Sequence, residues 1–260
     1  MRAREPVLLS SSLDQRLSGS PIGSSLLAAF REAVALGRQS LVMHRDLAPR
    51  VPADLAAGEH LVVLLHGLFA TAGAMSYLRR EIERRTPART ASFSYRPGAL
   101  VHDLSLRLGR LLADAPAGVR VHLVGHSLGG VVSRYYVQVY PRDGRVLQTV
   151  SLASPFAGSR VAALVPRFLS REVEVGSPVL RVLARSWSAT RVPHTSFVAT
   201  HDQMVIPSES AAAPFGEVIR VSARAHNALL CDAAVADCVV ERVQRLIDAD
   251  QVQPAAALVA

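Results

Sequence analysis

Residues 119–140 restrict this chain's fold more than any other stretch. Val119-Arg120-Val121-His122-Leu123-Val124 reads as a β-strand, and Gly125-His126-Ser127-Leu128-Gly129-Gly130 follows at once. A helical pattern over 128–140 then runs to Pro141. A strand and a helix joined without a spacer force a sharp turn. Gly125 and Gly129 leave room for the two elements to approach closely there. The turn lifts the Ser127 hydroxyl to the sheet edge, at the positive end of a helix dipole. Gly-X-Ser-X-Gly alone is a common pattern. The strand before it and the helix after it turn Ser127 into a candidate nucleophile.

The same alternation recurs on both sides. Leu61-Val62-Val63-Leu64-Leu65 is an unbroken apolar run of the kind found in strands buried on both faces of a parallel sheet. Further strands are expected at 90–95, 146–152, 195–200 and 218–221, with helices at 74–85, 101–114 and 234–248. Alternating strands and helices predict an α/β fold with a mainly parallel central sheet and helices on both faces. Residues 156–193 interrupt the rhythm with two amphipathic pieces, 161–169 and 178–187. They predict a small helical cap inserted over the carboxyl edge of the sheet. The main domain is expected to span 58–250.

A serine hydroxyl needs a general base, and the base needs an orienting acid. In this topology the order along the chain is serine, acid, histidine. His226 lies just past the last expected strand, at the edge where Ser127 lies. His194 precedes a strand and belongs at the opposite edge. Asp202 immediately follows the strand at 195–200, and His201 directly precedes it. Glu209 lies further along the same loop and is the main competitor. Asp143 follows a helix, and Asp232 comes after the base in the chain. The expected constellation is therefore Ser127, Asp202 and His226. An oxyanion needs two donors. The backbone N–H of Leu128 is one. The turn His66-Gly67-Leu68-Phe69 after the first strand offers the N–H of Leu68 as the other, with Gly67 allowing the turn.

Residues 1–57 fall outside this frame. Residues 1–23 read as a flexible leader rich in Ser, Gly and Pro, without the apolar core of a signal peptide. Residues 24–44 read as an amphipathic helix. Leu27, Phe30, Val34 and Leu41 form its apolar stripe, and Arg31, Glu32, Arg38 and Gln39 lie elsewhere on the wheel. Packing on the main domain is the first expectation for this helix. Peripheral membrane contact and self-association are the alternatives.

Of the 260 residues 50% are hydrophobic and 19% charged, as in a globular chain. The net charge of +8 rests entirely on 29 arginines, since the chain has no lysine. They are scattered rather than clustered, and no nucleic-acid-binding motif is present. Cys231 and Cys238 do not make a zinc site. Seven residues apart on one helix, their Cα atoms would stand about 10 Å apart, beyond disulfide reach. A loop between them would allow a bridge. No apolar run is long enough to span a bilayer, so the expectation is a cytoplasmic protein.

These segments resemble bacterial lipases and esterases of the α/β-hydrolase superfamily. The resemblance rests on Val63-Leu64-Leu65-His66-Gly67-Leu68, on Gly125–Gly130 continuing into Val131-Val132-Ser133-Arg134-Tyr135-Tyr136, and on the terminal aspartate and histidine loops. Ser151-Leu152-Ala153-Ser154-Pro155-Phe156-Ala157-Gly158-Ser159 resembles a lipase segment often written Gly-Thr-Pro-His-X-Gly. It departs from that pattern at Ala153-Ser154 and at Phe156. The resemblance covers about residues 58–248. It implies hydrolysis of a small-molecule carboxylic ester or lipid through an acyl-enzyme, with no metal or organic cofactor. A thioesterase, an amidase or an acyltransferase would use the same residues. A non-catalytic binding protein of the same fold is the alternative from another class.

Overall fold

A computed structural model describes residues 7–9, 21–44, 51–140 and 143–256. Among these residues seven strands form one sheet: β1 (Val7–Leu9), β2 (His60–Leu65), β3 (Arg89–Ser92), β4 (Arg120–His126), β5 (Val146–Leu152), β6 (His194–Ala199) and β7 (Glu217–Val221). Their order is β1-β7-β6-β5-β4-β2-β3, and every adjacent pair is parallel. Helices α1 (Pro21–Val42), α2 (Ser76–Arg85), α3 (Val101–Ala113), α4 (Leu128–Val139), α5 (Arg167–Ser170), α6 (Pro178–Ser186) and α7 (Ala233–Ala256) complete the architecture. This is the α/β-hydrolase fold.

The apolar run of β2 shows why both faces of the sheet are covered. Leu61, Val63 and Leu65 enter one core with Leu104 and Leu108 of α3 and Val131 and Val132 of α4. Val62 and Leu64 point the other way, into a core with Leu78 and Ile82 of α2 and Val235, Val239 and Val243 of α7. Alternate side chains on a pleated strand face opposite sides, so an unbroken apolar run needs two apolar layers.

The strand order reverses at β2. The chain steps outward from β2 to β3, then returns to the other side of β2 with β4 and continues outward through β5, β6 and β7. Chains leaving β2 and β4 therefore diverge and open a crevice at the carboxyl ends of these two strands. Leu65 stands opposite Gly125 there, so the turns carrying Gly67 and Ser127 are neighbours.

Three expectations need revision. The leader is not wholly outside the fold: Val7–Leu9 pairs with β7, Val7 opposite Ile219 and Leu9 opposite Val221. The remainder of that expected leader, 1–6 and 10–20, lies outside the described residues, as does Pro141. The N-terminal helix does sit against the main domain, but not by its apolar stripe. Ala28 and Ala35 are buried, whereas Phe30 and Leu41 are 67% and 74% exposed. The inward face is small and polar because it meets backbone donors rather than a greasy surface. Within 156–193, only the first part covers the carboxyl edge. Helix α6 buries Val179, Leu180 and Leu183 in the same core as α3 and α4, so its apolar stripe serves the sheet face. Trp187 follows it inward, with the Arg134 guanidinium 4.6 Å from its ring centroid.

Strand β3 ends at Ser92, short of the expected 95, because the chain turns toward β2 and Tyr95 donates its N–H to His66 Nε2 at 3.1 Å. Cys231 and Cys238 are free thiols, and burial pushes both up from the ordinary value. Among the described residues no helix is long and apolar enough to cross a membrane.

Candidate active site

Ser127 stands between β4 and α4 with φ 52° and ψ −120°. That left-handed region is costly for a residue with a side chain, on the order of 1–3 kcal/mol, and persists only where the surroundings enforce it. The enforcement is visible. Ser127 N donates to Leu152 O at 2.8 Å, tying the turn to β5. A Cβ on Gly125 would lie 2.2 Å from Gly130 N, and one on Gly129 would lie 2.2 Å from Leu65 O. Both glycines are required by close approach of backbone to backbone. Phe69, Ala153 and Ala223 also have positive φ, and each lies just beyond the carboxyl end of a strand. Among the described residues, all four non-glycine residues in this conformation thus gather at one edge of the sheet.

The structure brings Asp202 and His226 together at that edge. His226 Nδ1 donates to Asp202 Oδ2 at 2.9 Å, with Oδ1 at 3.2 Å. Asp202 Oδ1 also accepts from Met204 N and Val205 N, both at 2.8 Å. These bonds fix the carboxylate and put the imidazole proton on Nδ1, which leaves Nε2 as a lone pair. Both side chains are buried, at 1% and 5% exposure. Burial opposes a charged imidazolium. The charge and hydrogen bond of Asp202, with the charge of Glu32, outweigh it and raise His226 above its ordinary value. Ser127 and His226 line the same cavity, and no hydrogen bond closes between them in this structure. Such bonds are often long in ligand-free sites.

The competing acids lie elsewhere. Asp143 binds Arg145 and accepts from Tyr136 Oη. Asp232 pairs with buried Arg224. Glu209 is approached by Ser208 Oγ on the exposed part of its loop.

The upstream turn is braced by aromatic side chains. The His66 and Tyr95 rings stack with centroids 3.7 Å apart, and Tyr95 Oη donates to His66 O. His66 Nδ1 donates to Gly67 O at 2.8 Å. Burial pushes His66 down to about 4, so it is a neutral structural group. Gly67 does not need a left-handed conformation. Its requirement is closeness, since a Cβ would lie 2.8 Å from His126 Nδ1 and 2.9 Å from Ser127 Cβ. Among the described residues neither Leu68 N nor Leu128 N donates to a backbone acceptor. His126 is fully enclosed, and burial holds it well below the ordinary imidazole value. Its Nε2 donates to His226 O at 3.2 Å, and the two rings stand 4.7 Å apart.

A cavity of about 560 Å³ opens above these groups. Ala33 and Leu36 of α1, Leu68 and Phe69 of the β2 turn, and Val161 and Val165 of the insertion give it apolar walls. The size falls within the range of small-molecule sites. Among the described residues no group of three or more His, Cys, Asp or Glu is arranged to hold a metal ion.

Sequence reasoning missed the part played by α1 and by Tyr95. Helix α1 supplies a cavity wall and holds the histidine loop through Glu32, which accepts from Asn227 and Ala228. Its polar face carried the only signal, a carboxylate in a helix with no i+4 partner of opposite sign.

The palmitoyl protein thioesterase family matches residues 61–192, slightly more than half of the chain. Among solved structures, the mature lipase BlEst2 of Bacillus licheniformis superposes with a TM-score of 0.59 at 13% identity, covering 76% of this chain and 96% of that one. The type II thioesterase BorB of the borrelidin biosynthetic cluster gives 0.53 at 18% identity, with coverages of 77% and 98%. A metagenome-derived lipolytic enzyme of the LipS and LipT pair gives 0.53 at 14%, with 78% and 98%. At these identities the structural likeness carries the fold alone.

Proposed function

The chain belongs to the palmitoyl protein thioesterase family and is a hydrolase of the α/β-hydrolase type, and from that premise we propose that it cleaves carboxylic esters of apolar acyl groups through an acyl-enzyme on Ser127. The observation that carries the reading is the convergence of two features on one apolar cavity: a left-handed Ser127 at a helix N-terminus, and His226 oriented by buried Asp202 with Nε2 free.

His226 Nε2 takes the Ser127 hydroxyl proton as Oγ attacks the carbonyl carbon. The carbonyl electron pair moves to oxygen, where the N–H groups of Leu68 and Leu128 receive it. Collapse expels the alcohol, which leaves with the proton held by His226. Water then attacks the acyl-enzyme, giving its proton to Nε2. The carboxylic acid departs and Ser127 is restored. Asp202 keeps the imidazole in the productive tautomer and offsets its positive charge in both halves.

Labelling with a fluorophosphonate probe followed by peptide mapping tests the assignment. The expected result is one adduct on Ser127 and loss of ester hydrolysis in Ser127→Ala. A folded Ser127→Ala protein that hydrolyses acyl esters as fast as the parent overturns it.

Thioester hydrolysis is the second reading, favoured by the family match. The chemistry differs only in expelling a thiol. Comparing kcat/KM for an ester and a thioester of one acyl chain separates the two.

A further inference from the structure

Helix α1 lies outside the segment matched by the family, yet it grips both loops that carry the buried acid–base pair. Ser24 Oγ is 3.1 Å from Nε2 of His201, the residue before Asp202. Arg31 Nη1 donates to Ala223 O at 3.1 Å, three residues before His226. The closest grip is that of Glu32. Its Oε2 accepts from Asn227 N at 2.8 Å and from Ala228 N at 3.0 Å, and its Oε1 accepts from Asn227 Nδ2 at 2.6 Å. These donors belong to the two residues immediately after His226, at the start of a 3₁₀ turn over Asn227–Cys231. Glu32 also lines the cavity that Ser127 and His226 share.

We propose that Glu32 is a positioning residue for His226, latching α1 to the 227–231 turn so that the imidazole is held over Ser127 and faces a second carboxylate besides Asp202. The proposal rests on the acyl-hydrolase reading and goes beyond it by making the N-terminal segment part of the working site.

The physical argument has two parts. A carboxylate that accepts three N–H bonds forms a stiff, charge-assisted clamp. One end of it is a 22-residue helix and the other adjoins the base, whose placement must hold to within about 1 Å. The second part is electrostatic. Among the described residues three other groups face His226 from the elements packed around it: Asp202 from the β6 loop, His126 from the end of β4 and Ser127. His126 is neutral, and among the described residues Glu32 is the carboxylate that favours the imidazolium besides Asp202.

Glu32→Gln keeps the size of the side chain and removes its charge. The expected result is a fall of about ten- to a hundredfold in kcat, with KM little changed. The acid limb of the kcat/KM profile is expected to move to lower pH, because loss of the carboxylate lowers the pKa of His226. Glu32→Asp retains the charge and is expected to keep the limb near its parental position. A purely structural role would change amplitude without moving the limb, and an unmoved limb in Glu32→Gln overturns the proposal. NMR titration of His226 in Ser127→Ala, with and without Glu32→Gln, reads the same coupling without turnover. If Ser127→Ala remains active, the hydrolase reading fails while the titration still decides the role of Glu32. If Ser127→Ala is inactive and His226 titrates identically in both backgrounds, the inference alone fails.

Discussion

Asp202→Asn is the substitution whose outcome the geometry determines most closely. The carboxylate has two distinct oxygens. Oδ1 accepts from the N–H groups of Met204 and Val205, both at 2.8 Å, and Oδ2 accepts from His226 Nδ1 at 2.9 Å. An asparagine in this place has one acceptor and one donor. If its NH₂ faced Met204 and Val205, two backbone donors and an amide donor would collide in a buried site, leaving two N–H groups unsatisfied at about 1–3 kcal/mol each. The carbonyl is therefore expected to keep the Oδ1 place and the NH₂ to face His226. Nδ1 must then accept, its proton moves to Nε2, and the lone pair that should receive the Ser127 proton is gone. A serine hydrolase whose histidine is held in the wrong tautomer loses about 10⁴ in kcat, or roughly 5.5 kcal/mol of transition-state stabilisation. The assay is steady-state hydrolysis of a chromogenic acyl ester, with the melting temperature and near-ultraviolet circular dichroism establishing that the variant folds. Recovery of more than a tenth of the parental kcat in the folded Asn variant would refute the tautomer argument.

Other outcomes follow from the same geometry. Activity requires neutral His226, whose pKa burial alone would lower but Asp202 and Glu32 raise. The acid limb of kcat/KM should therefore inflect above the ordinary imidazole value, and an inflection below that value contradicts the arrangement. Gly129→Ala puts a methyl group 2.2 Å from Leu65 O, so the strand–helix contact cannot close. Destabilisation of about 1–3 kcal/mol in urea is expected, and a parental midpoint would show that the turn yields more easily. Asp232→Asn removes the carboxylate paired with the buried Arg224 guanidinium. It should cost about 1–3 kcal/mol by the same measurement while sparing the reaction in protein that remains folded. Helix α1 turns Phe30 and Leu41 to solvent. The full chain is expected to sediment with anionic phospholipid vesicles, and Phe30→Ser with Leu41→Ser to weaken this at least about tenfold; equal sedimentation of both forms removes the membrane as the partner of that face.

The sheet was legible because its signals are local. An apolar run such as Leu61–Leu65 says that both faces are covered whatever covers them, and the Gly125–Gly130 turn is set by residues in direct succession. Chain order then directed attention to Asp202 and His226, because in this topology each strand delivers its following loop to the same edge. The contacts across that edge were not legible. Tyr95 bracing His66 joins residues 29 apart, and Glu32 binding Asn227 joins residues 195 apart. No periodicity encodes such a distance. The N-terminal helix shows the difference most clearly. Its sequence determined that it is a helix with an apolar stripe, since both follow from neighbours within a turn or two. Which face turns inward depended on what the rest of the chain presented to it. The 227–231 turn offers unpaired N–H donors, whose burial without acceptors is costly, so the face bearing Glu32 docked and the apolar stripe stayed outside.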